Sequence, residues 1–218
     1  MNPYAPPPDP LVVVHVDASL LVIDKPSGLL SVPGRGVDKA DCAVSRADAA
    51  YPGALTVHRL DMATSGLLVL ARSKEMQAAL SGLFERGEVT KNYIADVWGA
   101  PSPPAGEIDL PLITDWPNRP RQKVDHDIGK PSRTRYETLS VEGKCARLKL
   151  TPLTGRSHQL RVHLAEIGHP ILGDELYAHD AARLAAPRLH LHAARLAFRH
   201  PVTGDKLDLV SDCPFEMP

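Results

Sequence analysis

The chain has 218 residues, enough for one globular domain with two lobes around a shared core; 43% hydrophobic and 23% charged residues argue against disorder, collagen and coiled coil. No apolar run approaches the roughly 20 residues that span a bilayer. Net charge is -1, yet residues 117–161 hold eleven Lys/Arg against four Asp/Glu, about +7, and the remainder about -8. That asymmetry suits a basic face on a neutral body, unless the side chains scatter over several faces on folding.

Residues 1–10, MNPYAPPPDP, lack the basic and apolar regions of a signal peptide and are expected to form a flexible Pro-rich tail. Cys42, Cys145 and Cys213 are sparse, odd in number and without a CxxC pair, which fits a reducing cytoplasm better than a disulfide framework. Residues 11–15 and 20–25 are β-branched runs joined by Asp17-Ala18-Ser19, a hairpin pattern. Gly and Pro punctuate residues 28–36, predicting a loop. GLLVLAR at 66–72 is an apolar run fitting a strand buried on both faces. Ser73 can cap a helix reaching Arg86, with Met76, Leu80 and Leu83-Phe84 at helical spacing and Gly87 as its stop. Residues 91–98 alternate Tyr93, Ala95 and Val97 on one side, a half-buried strand.

Seven prolines make residues 101–131 loop-rich. Strands are predicted at 133–141 and 146–151, a helix from Ser157 to Gly168 with Leu160, Leu164 and Ile167 on one face, a short helix at 180–186, and closing strands at 189–198 and 206–210. The expected fold is α+β with a mainly antiparallel sheet, residues 11–218 forming a single catalytic domain.

His58-Arg59-Leu60-Asp61 precedes the buried strand across Met62-Ala63-Thr64-Ser65, where a scaffold can present a carboxylate rigidly. Thr154-Gly155-Arg156-Ser157-His158 offers a partner, because an arginine fork can hold a carboxylate ionised. By residue type alone such a pair is more often a structural salt bridge. His158, His163, His169, His190 and His192 lie close in sequence without ligand spacing, so no metal and no cofactor is expected. Lys25 suits either a phosphate contact or strand-end packing.

HRLDMATSGLLVLAR (58–72) resembles the catalytic motif of the RluA family of pseudouridine synthases. LLVIDKPSGLLSVPG (20–34), KNYIADVWG (91–99), PLTGRSHQLRVHLAEIGHPILGD (152–174) and LHLHA (189–193) are similar to its other motifs, in the same order. The resemblance implies a catalytic domain with two lobes flanking an active-site cleft and isomerisation of uridine in RNA. It makes Asp61 the catalytic carboxylate, Tyr93 the tyrosine packing on the base, and Arg156 the partner of Asp61. Arg59 would fill the stack left by the flipped base and Leu160 would wall the uracil pocket. His58, Arg119, Arg121 and Lys123 are further expected RNA contacts.

DLPLITDWPNRPRQKVD (109–125) and SVPGR after the Lys-Pro motif resemble the branch acting on both 23S rRNA and tRNA. That implies a cytoplasmic monomer; the roughly ten residues before the first strand are too few for the S4 domain of neighbouring branches. Two rivals stay open, a metal-dependent hydrolase using Asp61 and His58, and a non-catalytic RNA-binding module.

Overall fold

The computed structural model describes residues 4–218; the start of the expected tail, residues 1–3, lies outside them. The chain divides into two compact units, one of residues up to Lys91 with Ala193–Asp212, the other of Asn92–His192 with Cys213–Pro218.

In the first unit β1 (Val12–Val16) and β2 (Leu20–Lys25) form the expected antiparallel hairpin. Asp17 closes it, its carboxylate accepting the amides of Ser19 and Leu20 as short acidic side chains do in turns. From Tyr4 onward the tail makes hydrogen bonds to the rest of this unit. The Tyr4 hydroxyl donates to the Asp41 carbonyl and accepts from the Leu30 amide, and Arg46 donates to the carbonyls of Pro7 and Asp9.

Helix α1 (Ala43–Ala50) was not expected, since its AVSRADAA carries little apolar pattern. Its start rests on a capping box in which Cys42 Sγ accepts the Ser45 amide and Ser45 Oγ accepts the Cys42 amide. Strand β3 (Leu55–Thr56) pairs with β4 (Ser65–Ala71), which is buried throughout as its apolar run requires. Strand β4 pairs antiparallel with β2 and also neighbours β11 (Leu191–Arg199), which pairs antiparallel with β12 (Lys206–Val210).

Helix α2 (Lys74–Glu85) is capped by Ser73 as predicted, Oγ accepting the Met76 amide at 3.1 Å. Met76 and Leu80 pack on Leu20, Val22, Leu67, Val69 and Phe198 to make this unit's core. Apolar side chains of this size contribute roughly 1.5–3 kcal/mol each when fully buried.

In the second unit β5 (Thr90–Trp98), β10 (Cys145–Pro152), β9 (Arg133–Glu142) and β6 (Ala105–Asp109) lie side by side in that order, all antiparallel. A separate hairpin joins β7 (Leu112–Thr114) to β8 (Gln122–Val124). Three short strands thus occupy the stretch expected as loop. Pairing with β9 and across the hairpin organises them, and that is invisible to local periodicity. Strand β5 is buried on both faces in its middle: Ala95 and Val97 lie on one side, while Asp96 on the other receives Arg147 at 2.7 Å and His190 at 3.0 Å.

Helix α3 (Gln159–Glu166) starts two residues later than expected, after His158 in a left-handed conformation at φ 54°. It is enclosed rather than amphipathic, with Gln159 through Leu164 all buried. Helix α4 (Asp180–Leu184) matches its expectation. The two units are α+β, and the β1–β2, β2–β4, β3–β4, β11–β12, β5–β10, β10–β9, β9–β6 and β7–β8 pairings are antiparallel.

Candidate active site

Asp61 follows buried Leu60 on a short link leading into β4, and its carbonyl accepts the Thr64 amide at 3.1 Å to close a turn. The link is gripped on both sides of Asp61 by residues 25–31. Ser31 Oγ donates to the Leu60 carbonyl at 2.7 Å and accepts the Leu60 amide at 3.1 Å. Beyond Asp61, the Met62 carbonyl accepts the Gly28 amide at 2.8 Å and Lys25 Nζ at 3.2 Å, and Ser27 Oγ donates to the Ala63 carbonyl at 2.7 Å.

Lys25 is fully buried and also donates to the carbonyls of Pro26 and Leu29, each at 2.8 Å. This removes the phosphate-contact reading of Lys25; the ammonium is a structural rivet. The Lys-Pro-Ser-Gly-Leu-Leu-Ser run therefore holds the backbone of Leu60 and Met62, the residues flanking Asp61. Arg59, next to buried Leu60, is exposed.

His58, expected as an RNA contact, makes contacts within the frame of this unit. Its Nε2 accepts the Val69 amide at 3.0 Å, and its ring stacks on Phe84 with centroids 4.4 Å apart. Lys91 sits over the same Phe84 ring. Burial first and the Lys91 charge second push the His58 pKa down to about 3, so the ring stays neutral and accepting. Burial also lowers the Lys91 pKa.

Tyr93 lies half-buried on β5 opposite Leu150 of β10. Arg156 is exposed on the turn before α3, its Nε donating to the Pro131 carbonyl at 3.3 Å. The turn is organised by a residue that sequence reasoning missed, the buried Gln159. Its Oε1 accepts the Arg156 amide and the Thr154 hydroxyl, while its Nε2 donates to the Arg133 carbonyl and Thr134 Oγ1. Only its place one residue past His158 could have flagged it, since a glutamine at a helix start can cap the preceding turn.

Leu160 is buried at 7% exposure. Arg161, also missed, is the buried arginine of this segment and grips Asp174 through Nε at 2.8 Å and Nη2 at 2.7 Å.

The basic segment does not form one free face. Arg147 serves Asp96, Arg161 serves Asp174, Arg133 and Arg135 serve Glu107, and Lys149 serves Glu137. Lys123 is exposed with a loose 3.7 Å contact to Asp125. Arg119, Arg121, Lys130 and Lys144 are exposed outside these pairs. The histidines take protein partners: His158 the Tyr177 hydroxyl, His163 Thr134 and the Leu110 carbonyl, His169 the Trp98 carbonyl, His190 Asp96.

Comparison with known proteins bears directly on this site. The family described as RNA pseudouridylate synthase matches residues 19–166, a span containing the clamp, Asp61, Tyr93 and Arg156. The chain belongs to the RNA pseudouridylate synthase family. The family's activity is the isomerisation of uridine to pseudouridine in RNA.

Within the family, the chain is 50% identical over 217 residues, 99% of both chains, to the dual-specificity RNA pseudouridine synthase RluA of Escherichia coli strain K12. It is 52% identical over 206 residues, 94% of each chain, to the RluA of Pasteurella multocida strain Pm70. Among solved structures, human RNA pseudouridylate synthase domain containing 1 superposes with a TM-score of 0.78 at 28% identity, covering 94% of this chain and 84% of that one. No helix among the described residues is long and apolar enough to cross a membrane.

Proposed function

We propose that this chain isomerises selected uridines in folded RNA with Asp61 as the carboxylate acting at ribose C1′. The observation that carries the reading is the clamped link: hydrogen bonds on both sides of Asp61 fix its backbone, as a carboxylate needs when it must meet one carbon atom. In the reaction the C1′–N1 bond breaks, uracil turns, a C1′–C5 bond forms, the proton on C5 leaves and N1 takes up a proton, so the product is an isomer. Asp61 either attacks C1′ or stabilises positive charge there while a glycal-like species forms; both routes use an ionised, aimed carboxylate.

Tyr93 packs on the base, a stack worth roughly 1–3 kcal/mol, and its hydroxyl assists removal of the C5 proton. Arg156 keeps Asp61 ionised. Arg161 is a second reading for that arginine, favoured by its burial and its bidentate fixation. Arg59 fills the stack vacated by the flipped base, offsetting part of an unstacking cost of a few kcal/mol. Leu160 walls the pocket, and Arg119, Arg121 and Lys123 neutralise phosphates. The substrates are 23S rRNA and tRNA, met in the cytoplasm by a monomer composed of one catalytic domain.

The test is tritium release from RNA labelled at uridine C5. Wild type should release tritium with or without EDTA, and Asp61→Asn should release none while keeping most of its RNA affinity. Turnover by the Asn variant near the wild-type rate overturns the assignment; loss of wild-type activity with EDTA favours the hydrolase.

A further inference from the structure

Only two tryptophans occur in the chain, and one of them, Trp116, stands on the tip of the β7–β8 hairpin with 66% of its surface exposed. The tip is rigid. Trp116–Asn118 forms a single helical turn; the Asn118 amide donates to the Asp115 carbonyl at 3.0 Å and its side chain to the Asp115 carboxylate at 2.9 Å. Asp115 and Arg121 close the turn from Asp115 N to Arg121 O at 3.0 Å. At the base, the Gln122 amide donates to the Tyr177 hydroxyl at 2.8 Å, and that hydroxyl also bonds His158 Nδ1 at 2.7 Å, two residues from Arg156.

The guanidinium carbon of Arg119 lies 4.3 Å from the centre of the Trp116 ring. One ring face is therefore covered by a cation, and exposure this high leaves the other face open. The flanking exposed side chains Arg121, Lys123 and Lys130 are cationic. An indole backed by a guanidinium, on a hairpin that also exposes Arg121 and Lys123, suits an aromatic ring carried on a polyanion.

We propose that the Trp116–Arg119 stack is a platform for an unpaired base of the RNA. This rests on the reading that the chain acts on RNA, and deepens it by naming the side chains that hold a loop base. A duplex keeps its bases stacked on one another and offers this face only phosphates, whereas a loop base can leave its neighbours and stack on the indole. Because Arg119 and the closed turn already hold the ring, little freedom is lost on binding.

The experiment titrates the full-length chain into a fluorescent RNA stem-loop and into a fully paired duplex of the same length, across a salt series. Trp116→Ala is expected to weaken stem-loop binding on the order of tenfold. Duplex binding should change less than about twofold, and the salt dependence should keep its slope because no charge is removed. Trp116→Phe, which keeps a smaller ring, should recover part of the loss. In the wild type, stem-loop binding should quench tryptophan fluorescence more than duplex binding, and Trp116→Phe should abolish the difference.

Equal losses on stem-loop and duplex, a flattened salt slope, or no loss at all overturn the platform while leaving RNA isomerisation intact. Tritium release from the wild type in the same preparation separates the two, since its absence would count against the activity itself.

Discussion

Lys25→Met replaces a buried ammonium with an apolar chain of similar length, so the packing of the stem survives while the hydrogen bonds to Pro26, Leu29 and Met62 are lost. The Met62 carbonyl keeps the Gly28 amide, and Pro26 is close enough to the surface for water to reach its carbonyl. Leu29 is fully buried, and its carbonyl loses the 2.8 Å contact with Nζ. A buried acceptor left without a donor costs about 1–3 kcal/mol, and hydrogen bonds from a charged donor contribute about 1.5–3 kcal/mol each. Relief from burying the charge offsets part of this. The expected destabilisation is about 2–4 kcal/mol, read as a lower urea midpoint with an unchanged slope. The link around Asp61 loosens at the same time, so tritium release under saturating RNA should fall more than RNA affinity does. The salt dependence of binding should keep its slope, because no phosphate contact is removed. A variant of wild-type stability whose salt slope flattens by about one ion would refute the rivet and restore the phosphate contact.

Other outcomes follow from the same geometry. Because the His58 pKa is depressed to about 3 in the folded chain, the unfolded chain takes up a proton first. Stability from this group is therefore complete above about pH 6.5 and is lost as pH falls towards 3, by at most roughly 1.4 kcal/mol per pH unit. His58→Gln should remove that dependence, and denaturation curves of the two proteins that stay parallel from pH 7 to 4 would contradict it. Gly66 has φ 110°, and a Cβ there would collide with the Ala193 backbone, so Gly66→Ala should destabilise by at least about 3 kcal/mol; a thermal midpoint within a degree or two of wild type would count against the close β4–β11 approach. Tyr93→Phe keeps the ring and should bind RNA normally while accumulating a rearranged but undeprotonated product; single-turnover rates equal to wild type would leave the hydroxyl without a chemical role. Arg156→Lys should slow turnover strongly if Arg156 holds Asp61, because a point charge cannot copy a fork, whereas full activity there together with loss in Arg161→Lys would move the role to Arg161.

The sequence by itself determined the elements whose information is local. Strand β4 follows from an unbroken apolar run, helix α2 from Ser73, its spaced apolar residues and Gly87, and the β1–β2 hairpin from two β-branched runs around Asp17. The order of motifs along the chain was likewise enough to name the family and to propose Asp61. Tertiary structure decided what depends on partners distant in sequence. Lys25 carries the same charge whether it meets a phosphate or three carbonyls, and only burial beside Leu29 and Met62 chooses between them. His58 becomes a neutral acceptor because Phe84, Lys91 and the Val69 amide converge on it. The +7 of residues 117–161 breaks up because Glu107, Glu137, Asp96 and Asp174 reach five of those cations, leaving the hairpin tip with its exposed arginines. Short strands such as β6 exist because β9 supplies their hydrogen bonds, and Gln159 orders the Arg156 turn because Arg133 and Thr134 lie beside it. Charge, propensity and periodicity are properties of a segment; burial and hydrogen-bond partnership are properties of a pair, and the fold makes the pairs.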